Sequence, residues 1–216
     1  MAIPDRIAIA SRNVHKLREI GRICSDWPAV WLTVEDHIGP WPEVEETADS
    51  YLGNALLKAR AVAGSLGVPA VADDSGIEVD ALRGEPGPRS ARYAGRDASD
   101  AENLLALMEA LAGVPAGERS ARYRCVAAIA WPDGRELHAA GVCEGTLVGE
   151  RRGTGGFGYD PIFVPIGSPV TMAELSAEEK DRISHRGNAL RELRAMLERA
   201  DPPARGRRRA PLPDSR

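Results

Sequence analysis

The stretch Pro69 to Gly95, PAVADDSGIEVDALRGEPGPRSARYAG, holds the acids best placed for chemistry. A short apolar run, Ala70-Val71-Ala72, ends in two carboxylates, Asp73 and Asp74, and Ser75-Gly76 follows. Gly accepts positive φ and Ser bonds its own backbone, so this pair predicts a tight turn. A second strand is expected from Ile77 to Leu82, where Glu78 and Asp80 alternate with apolar residues. Acids at a strand end beside a turn suit proton transfer or cation binding, though a solvated turn also accounts for Asp-Ser-Gly. Neighbouring strand residues project to opposite faces, so Asp73 and Asp74 cannot serve one metal in the same way.

Four further clusters supply partners. Glu43, Glu45 and Glu46 precede a helix expected from Asp49 to Leu66. They either complement that helix's dipole or bring a glutamate to the acidic pair. Converging carboxylates hold a divalent cation, and Mg²⁺ takes a few such oxygens together with phosphate and water. The segment Ser11-Arg12-Asn13-Val14-His15-Lys16 lies between a strand ending at Ala10 and a helix carrying Leu17, Ile20, Ile23 and Cys24. Such a junction offers backbone N–H groups and a positive helix end to an anion. It is not the G-x-x-x-x-G-K-[ST] loop, and Arg12 and His15 have solvent as an alternative. Gly149 to Pro165, GERRGTGGFGYDPIFVP, sets Phe157 and Tyr159 among glycines, either to stack on a flat ligand or to anchor a surface loop. Finally, KDRISHRG (180–187) puts His185 and Arg186 at the start of a last helix, where positive charge opposes the dipole. Residues that break a local rule are candidates for function.

The elements that must position these groups alternate between strands and helices. A strand is expected over Val30 to Val34, and Gly67 with Pro69 closes the helix that begins at Asp49. Asp97 or Ser99 caps a third helix with Leu104, Leu105, Met108 and Leu111 on its apolar face, and Gly113 and Pro115 stop it. Tyr123 to Trp131 and Arg135 to Leu147 form a hairpin across Pro132-Asp133-Gly134. A strand resumes over Pro161 to Val164, and Ser176 and Glu179 make a capping box in a helix from Ala173 to Lys180. Ser184 caps the last helix, Asn188 to Arg199, with Leu190, Leu193, Met196 and Leu197 inward.

Composition narrows the classes. At 216 residues, 43% hydrophobic and 28% charged, the chain suits one sizeable domain or two lobes sharing a core. The net charge of −4 argues against a general nucleic-acid binder. Residues 201–216, DPPARGRRRAPLPDSR, read as a disordered basic tail of net +3, leaving −7 for residues 1–200. Cys24, Cys125 and Cys143 are odd in number and lack C-x-x-C spacing, which fits a reduced, cytoplasmic setting. There is no signal-peptide core at the N-terminus and no apolar run near the roughly 20 residues that span a bilayer. No membrane partner is expected.

The segments SRNVHKLREI, EETADSYLGNALLKARA, ADDSGIEVDAL, GEPGPRSARYAG, GGFGYDPIF and AELSAEEKDRISHRGNAL occur in this order. In them the chain resembles the inosine/xanthosine triphosphate pyrophosphatases, or XTP/dITP diphosphatases, from about Ile7 to Leu197. The resemblance implies an α/β fold with an elongated mixed sheet, flanking helices and a cleft between two lobes. It implies Mg²⁺-dependent hydrolysis of ITP, dITP or XTP to the monophosphate and pyrophosphate by a homodimer. Asp74 matches the catalytic proton acceptor and, with Glu46, the metal ligands, while Asp73 is left a supporting acid. The Ser11–Lys16 segment matches the substrate loop, with Ser11, Asn13 and Lys16 at the triphosphate, and Ser75 matches a substrate contact. Phe157, Gly158, Tyr159 and Asp160 match the loop around the base, with Phe157 as the stacking ring. Lys180, His185 and Arg186 match the remaining substrate contacts, and Arg186 is expected to donate to a purine 6-oxo group. The chain departs from the family pattern at Arg12, His15 and Gly53, where glycine, glycine or alanine, and glutamate are usual. Two rival readings are a pyrophosphatase for modified pyrimidine nucleotides and a silent nucleotide- or RNA-binding protein that uses the basic tail.

Overall fold

The computed structural model of the protein describes residues 3–36 and 39–200. The expected basic tail lies outside the described residues. Six strands form one mixed sheet in the order β2-β1-β3-β4-β5-β6. β1 (Arg6–Ile9) pairs in parallel with β2 (Val30–Leu32) and with β3 (Ala70–Val79). β4 (Ser120–Ala130), β5 (Glu136–Leu147) and β6 (Phe163–Pro165) then add antiparallel to β3 in turn. Helices cover both faces, and this α/β architecture is the expected one. Among the described residues no helix is long and apolar enough to cross a membrane.

Strand alternation decides which helix meets which residue. In β1, Ile7 and Ile9 enter a core with Ile20 of α1 (Val14–Ile23) and Leu190, Leu193 and Leu197 of α5 (His185–Ala200). Ala8, between them, faces the other way onto Ala59, Val62 and Ala63 of α2 (Tyr51–Leu66). β3 repeats the division: Val71 joins the α1/α5 core, and Ala70 and Ala72 the α2 core. A third core, at the far end of β3 and β4, gathers Ile77, Val79, Leu104, Leu107, Tyr123, Phe163 and Met172. The long strands β3, β4 and β5 therefore run through two lobes.

Local signals place most helix ends. Ser50 caps α2 by accepting from the Gly53 N–H, and Gly67 closes it in the left-handed region (φ 66°). Capping boxes Ser99/Glu102 and Ser176/Glu179 start α3 (Asp100–Ala110) and α4 (Ala177–Ile183). The inward face of α3 uses Leu107, whereas Leu105 is exposed, because positions 104, 107, 108 and 111 share one side of a 3.6-residue helix. α5 begins at His185, three residues before the expected start, because Ser184 Oγ accepts from the Gly187 N–H and caps it there. The strand expected from Pro161 instead occupies Phe163–Pro165, since residues 160–162 turn as a 3-10 helix.

The clearest departure is at Ser75-Gly76, where no turn forms. β3 continues to Val79, paired with β4 from Ala70↔Ala130 to Val79↔Ala121, and residues 80–82 make the turn. Gly76 serves a close approach instead: a Cβ there would lie 2.2 Å from the Gly87 carbonyl oxygen and 2.5 Å from Ser90 Oγ. Ser90 Oγ fastens the same spot, accepting from the Ile77 N–H and donating to the Gly87 carbonyl.

Candidate active site

Between the lobes lies a cavity of about 490 Å³, lined from both sides. Ser11, Arg12, Asn13 and Lys16 border it from the β1–α1 junction, and Glu46, Asp74 and Ser75 from the middle. Phe157, Gly158, Tyr159 and Asp160 close it beside Lys180, His185 and Arg186. Of the residues expected at the site, Val14 and His15 are outside this lining. Val14 is exposed, and the His15 ring stacks on Phe157 with centroids 5.2 Å apart. Asn13 is occupied as the cap of α1, its side-chain oxygen accepting from the His15 and Lys16 N–H groups.

The period of two in β3 sends the two aspartates to different networks. Asp73 shares the face of Val71 and meets α1 and α5, where Oδ2 accepts from Arg186 Nε (3.1 Å) and Nη2 (2.9 Å). Lys16 Nζ lies 3.2 Å from the same oxygen. Burial would raise the Asp73 pKa, but Arg186, Lys16 and Lys58 outweigh it and hold the carboxyl far below the usual range. Asp74 shares the face of Ala72 and meets α2. Its Oδ2 accepts from Asn54 Nδ2 at 3.1 Å, and Lys58 Nζ is 3.7 Å from Oδ1. Burial pushes the Asp74 pKa above its ordinary value, against the pull of Lys58 and Lys16. An acid so shifted is a better proton acceptor near neutral pH.

Lys58 Nζ also donates to Glu46 Oε1 at 2.6 Å, so one ammonium sits between Glu46 and Asp74. Burial raises the Glu46 pKa, yet Lys58 carries the balance downward, and Arg92, 3.8 Å away, adds to that. Among the described residues no three His, Cys, Asp or Glu side chains are grouped to hold a metal. The Glu46–Asp74 pair does fit a hard cation that takes its remaining ligands from phosphate and water. Both carboxylates already face one positive charge across a shared gap.

Around Arg186, buried charges alternate. Glu19 accepts from Arg186 Nη1 and from Lys180 Nζ (2.7 Å), and Lys180 also donates to Asp160 Oδ2 at 2.5 Å. Asp160 accepts from Tyr123 Oη and the Phe157 N–H, so it holds the Gly-rich loop rather than facing the cavity's centre. Gly156 is required there: a Cβ would meet Asp160 Oδ2 at 2.1 Å. Arg186 also donates from Nη2 to Ser75 Oγ at 3.0 Å, leaving of its five donors one N–H on Nη1 for a ligand. Tyr159 is buried and donates to the Ser90 carbonyl at 2.7 Å. His185 stacks on Tyr123 with centroids 4.6 Å apart, and its buried Nδ1 has no hydrogen-bond partner. Burial, with Arg186 and Lys180 nearby, lowers its pKa well below the ordinary value, so the ring is neutral.

Glu19, Asn54, Lys58 and Tyr123 were not singled out from the sequence. Asn54 and Lys58 had a signal: they stand four apart among Ala55, Ala59 and Ala63, on a helix face that is otherwise apolar. Glu19 had a weaker one, three residues after Lys16 and beside the inward Ile20.

A shallow two-lobed α/β fold with acids, lysines and an aromatic loop around one cavity defines the class, and comparison with known proteins supplies the family. The Ham1 family matches residues 7–196, and the chain belongs to it. The dITP/XTP pyrophosphatase of Geobacter sulfurreducens is 47% identical over 192 residues, covering 89% of this chain and 96% of that one. A Ham1 protein structure from Coxiella burnetii has TM-score 0.79 at 40% identity, covering 92% of this chain and all of that one. The Mycobacterium abscessus structure described as a nucleoside-triphosphatase / dITP/XTP pyrophosphatase gives 0.69 at 42%, covering 89% and 98%.

Proposed function

We propose that the protein hydrolyses non-standard purine nucleoside triphosphates (dITP, ITP and XTP) to the monophosphate and pyrophosphate. The observation that carries this reading is the set of chemistries gathered around one cavity. Lys16 and the α1 N-terminus, the Glu46–Asp74 pair, and Phe157 with His185 and Arg186 all line it. That set supplies groups suited to a triphosphate, a scissile bond and a base, and the named relatives support the reading.

In this reading Glu46 and Asp74 would hold Mg²⁺, which would supply charge neutralisation to the phosphates. Asp74 takes a proton from the water that attacks the α-phosphorus, and the bond from that phosphorus to its bridging oxygen breaks. Lys16 offsets charge on the departing pyrophosphate. Phe157 stacks on the base. The remaining Arg186 N–H donates to a 6-oxo oxygen and would oppose the 6-amino group of ATP, leaving donors unpaired. The resemblance also supports a homodimer, which sedimentation of purified protein checks, and the three free cysteines fit a cytoplasmic setting.

The test is pyrophosphate release from ITP, dITP, XTP, GTP, ATP, dUTP and 5-methyl-UTP with Mg²⁺. Turnover of the first three with ATP spared is expected. No release from them, or equal cleavage of ATP, overturns the reading, and preference for a pyrimidine replaces it with the rival one.

A further inference from the structure

The His15 ring lies nearly parallel to Phe157, 17° between planes. His15 is exposed and outside the cavity lining, whereas Phe157 is half-buried and part of it. The histidine therefore backs the ring from outside the cavity. Phe157 has little side-chain support from its own loop, since Gly156 and Gly158 flank it with φ of 69° and 61°. Its N–H is tied to Asp160, but that bond leaves the ring free to turn about its side-chain torsions. Lys180 Nζ and Arg186 Cζ stand 5.0 and 5.8 Å from the ring centre, and both groups are committed to carboxylates.

His15 stands in the first turn of helix α1, whereas Phe157 stands between two glycines of a loop. The His15 N–H is held by the Asn13 cap at 2.9 Å, in the same turn that carries Lys16 into the cavity. We propose that His15 is a positioning residue that stacks on Phe157 to hold its ring for base stacking, joining the β1–α1 junction to the Gly-rich loop. This rests on the functional reading above and deepens it: His15 acts on the base through Phe157 and does not touch substrate.

The experiment compares His15→Ala, His15→Leu and His15→Phe with wild type. Titration calorimetry gives Kd for inosine monophosphate, which carries a base, and for inorganic triphosphate, which carries none. An aromatic pair weighs roughly two- to tenfold in an equilibrium. His15→Ala and His15→Leu are expected to weaken inosine monophosphate by about that factor and leave inorganic triphosphate unchanged, and His15→Phe to restore the first. Unchanged binding of inosine monophosphate overturns the proposal. So does equal weakening of both ligands, which would place the effect in the phosphate loop, or failure of His15→Phe to rescue. Loss of ITP turnover in wild type with inosine monophosphate still bound would overturn the functional reading alone.

Discussion

Glutamine at position 19 would keep the shape of a side chain that sits between two buried cations and remove only its charge. The charges around it alternate from Lys16 to Asp73, Arg186, Glu19, Lys180 and Asp160. Three cations face three carboxylates, and Arg186 is 1% and Glu19 5% exposed, so water cannot replace a missing partner. Burial would raise the Glu19 pKa, but Arg186 and Lys180 outweigh it and keep the carboxylate ionised. Removing one partner from such a pair costs about 3–5 kcal/mol. Each kcal/mol moves Tm by roughly 2–4 °C in a domain of this size, so Glu19→Gln is expected to lower Tm by about 6–20 °C. Thermal and urea unfolding measure it. A cycle with Lys180→Met separates charge balance from lost packing. The double variant restores equal numbers of buried charges and should lose less than the sum of the singles by about 0.5–3 kcal/mol. A loss under about 1 kcal/mol for Glu19→Gln, or an additive cycle, would refute the alternating-charge account.

Asp74→Asn is expected to stop pyrophosphate release with Tm within a few degrees of wild type, because Asn54 and Lys58 can still bond an amide oxygen. Asp73→Asn, which takes from Arg186 and Lys16 the carboxylate they share, should lose Tm on the scale of Glu19→Gln, and comparable behaviour of Asp73→Asn and Asp74→Asn would end the division of roles. Lys58→Met leaves Glu46 and Asp74 facing each other without the ammonium between them, so Mg²⁺ should raise its Tm more than it raises that of wild type. An equal Mg²⁺ shift in a thermal melt would count against Lys58 as the resident counter-charge. His185, whose folded pKa is lowered, gives stability that is complete above the unfolded value of about 6.5. As pH falls below that, the unfolded chain takes up a proton the buried ring refuses, and stability declines by up to about 1.4 kcal/mol per pH unit. Urea unfolding of wild type and His185→Gln from pH 7 to 5 checks this, and parallel slopes would show that another group is responsible.

Most element types were legible because their signals are local. Ser50 with Gly67, and the capping boxes at Ser99 and Ser176, each act within a turn of chain. The Ser75-Gly76 pair misled for the opposite reason. A turn motif reports what a backbone can do, and Gly76 was needed for the approach of Gly87, eleven residues away, which only the folded sheet brings about. Glu19 was illegible for a related cause. A glutamate on a helix reads as a surface residue until a partner is found, and Arg186 lies 167 residues further along. Ser11, Arg12, Asn13 and Lys16 of the β1–α1 junction do border the cavity, but the individual aims of that segment were not legible. Asn13 proved to be a helix cap, and His15 turned to Phe157.

The continuity of β3 is what lets two adjacent carboxylates have separate lives. In a turn, Asp73 and Asp74 would share solvent and one flexible backbone, and each would respond to the charge of the other. In a strand paired along its whole length with β4, their side chains are fixed on opposite faces of a rigid wall. On one face Asp73 is locked to Arg186 and its pKa is driven down. On the other, Asp74 borders the open cavity and its pKa is driven up. One acid is permanently charged and holds the lobes' charged core, while its neighbour stays able to accept a proton. Environments that push paired acids apart in pKa separate structural from chemical roles, and here the pleat of a single strand does so.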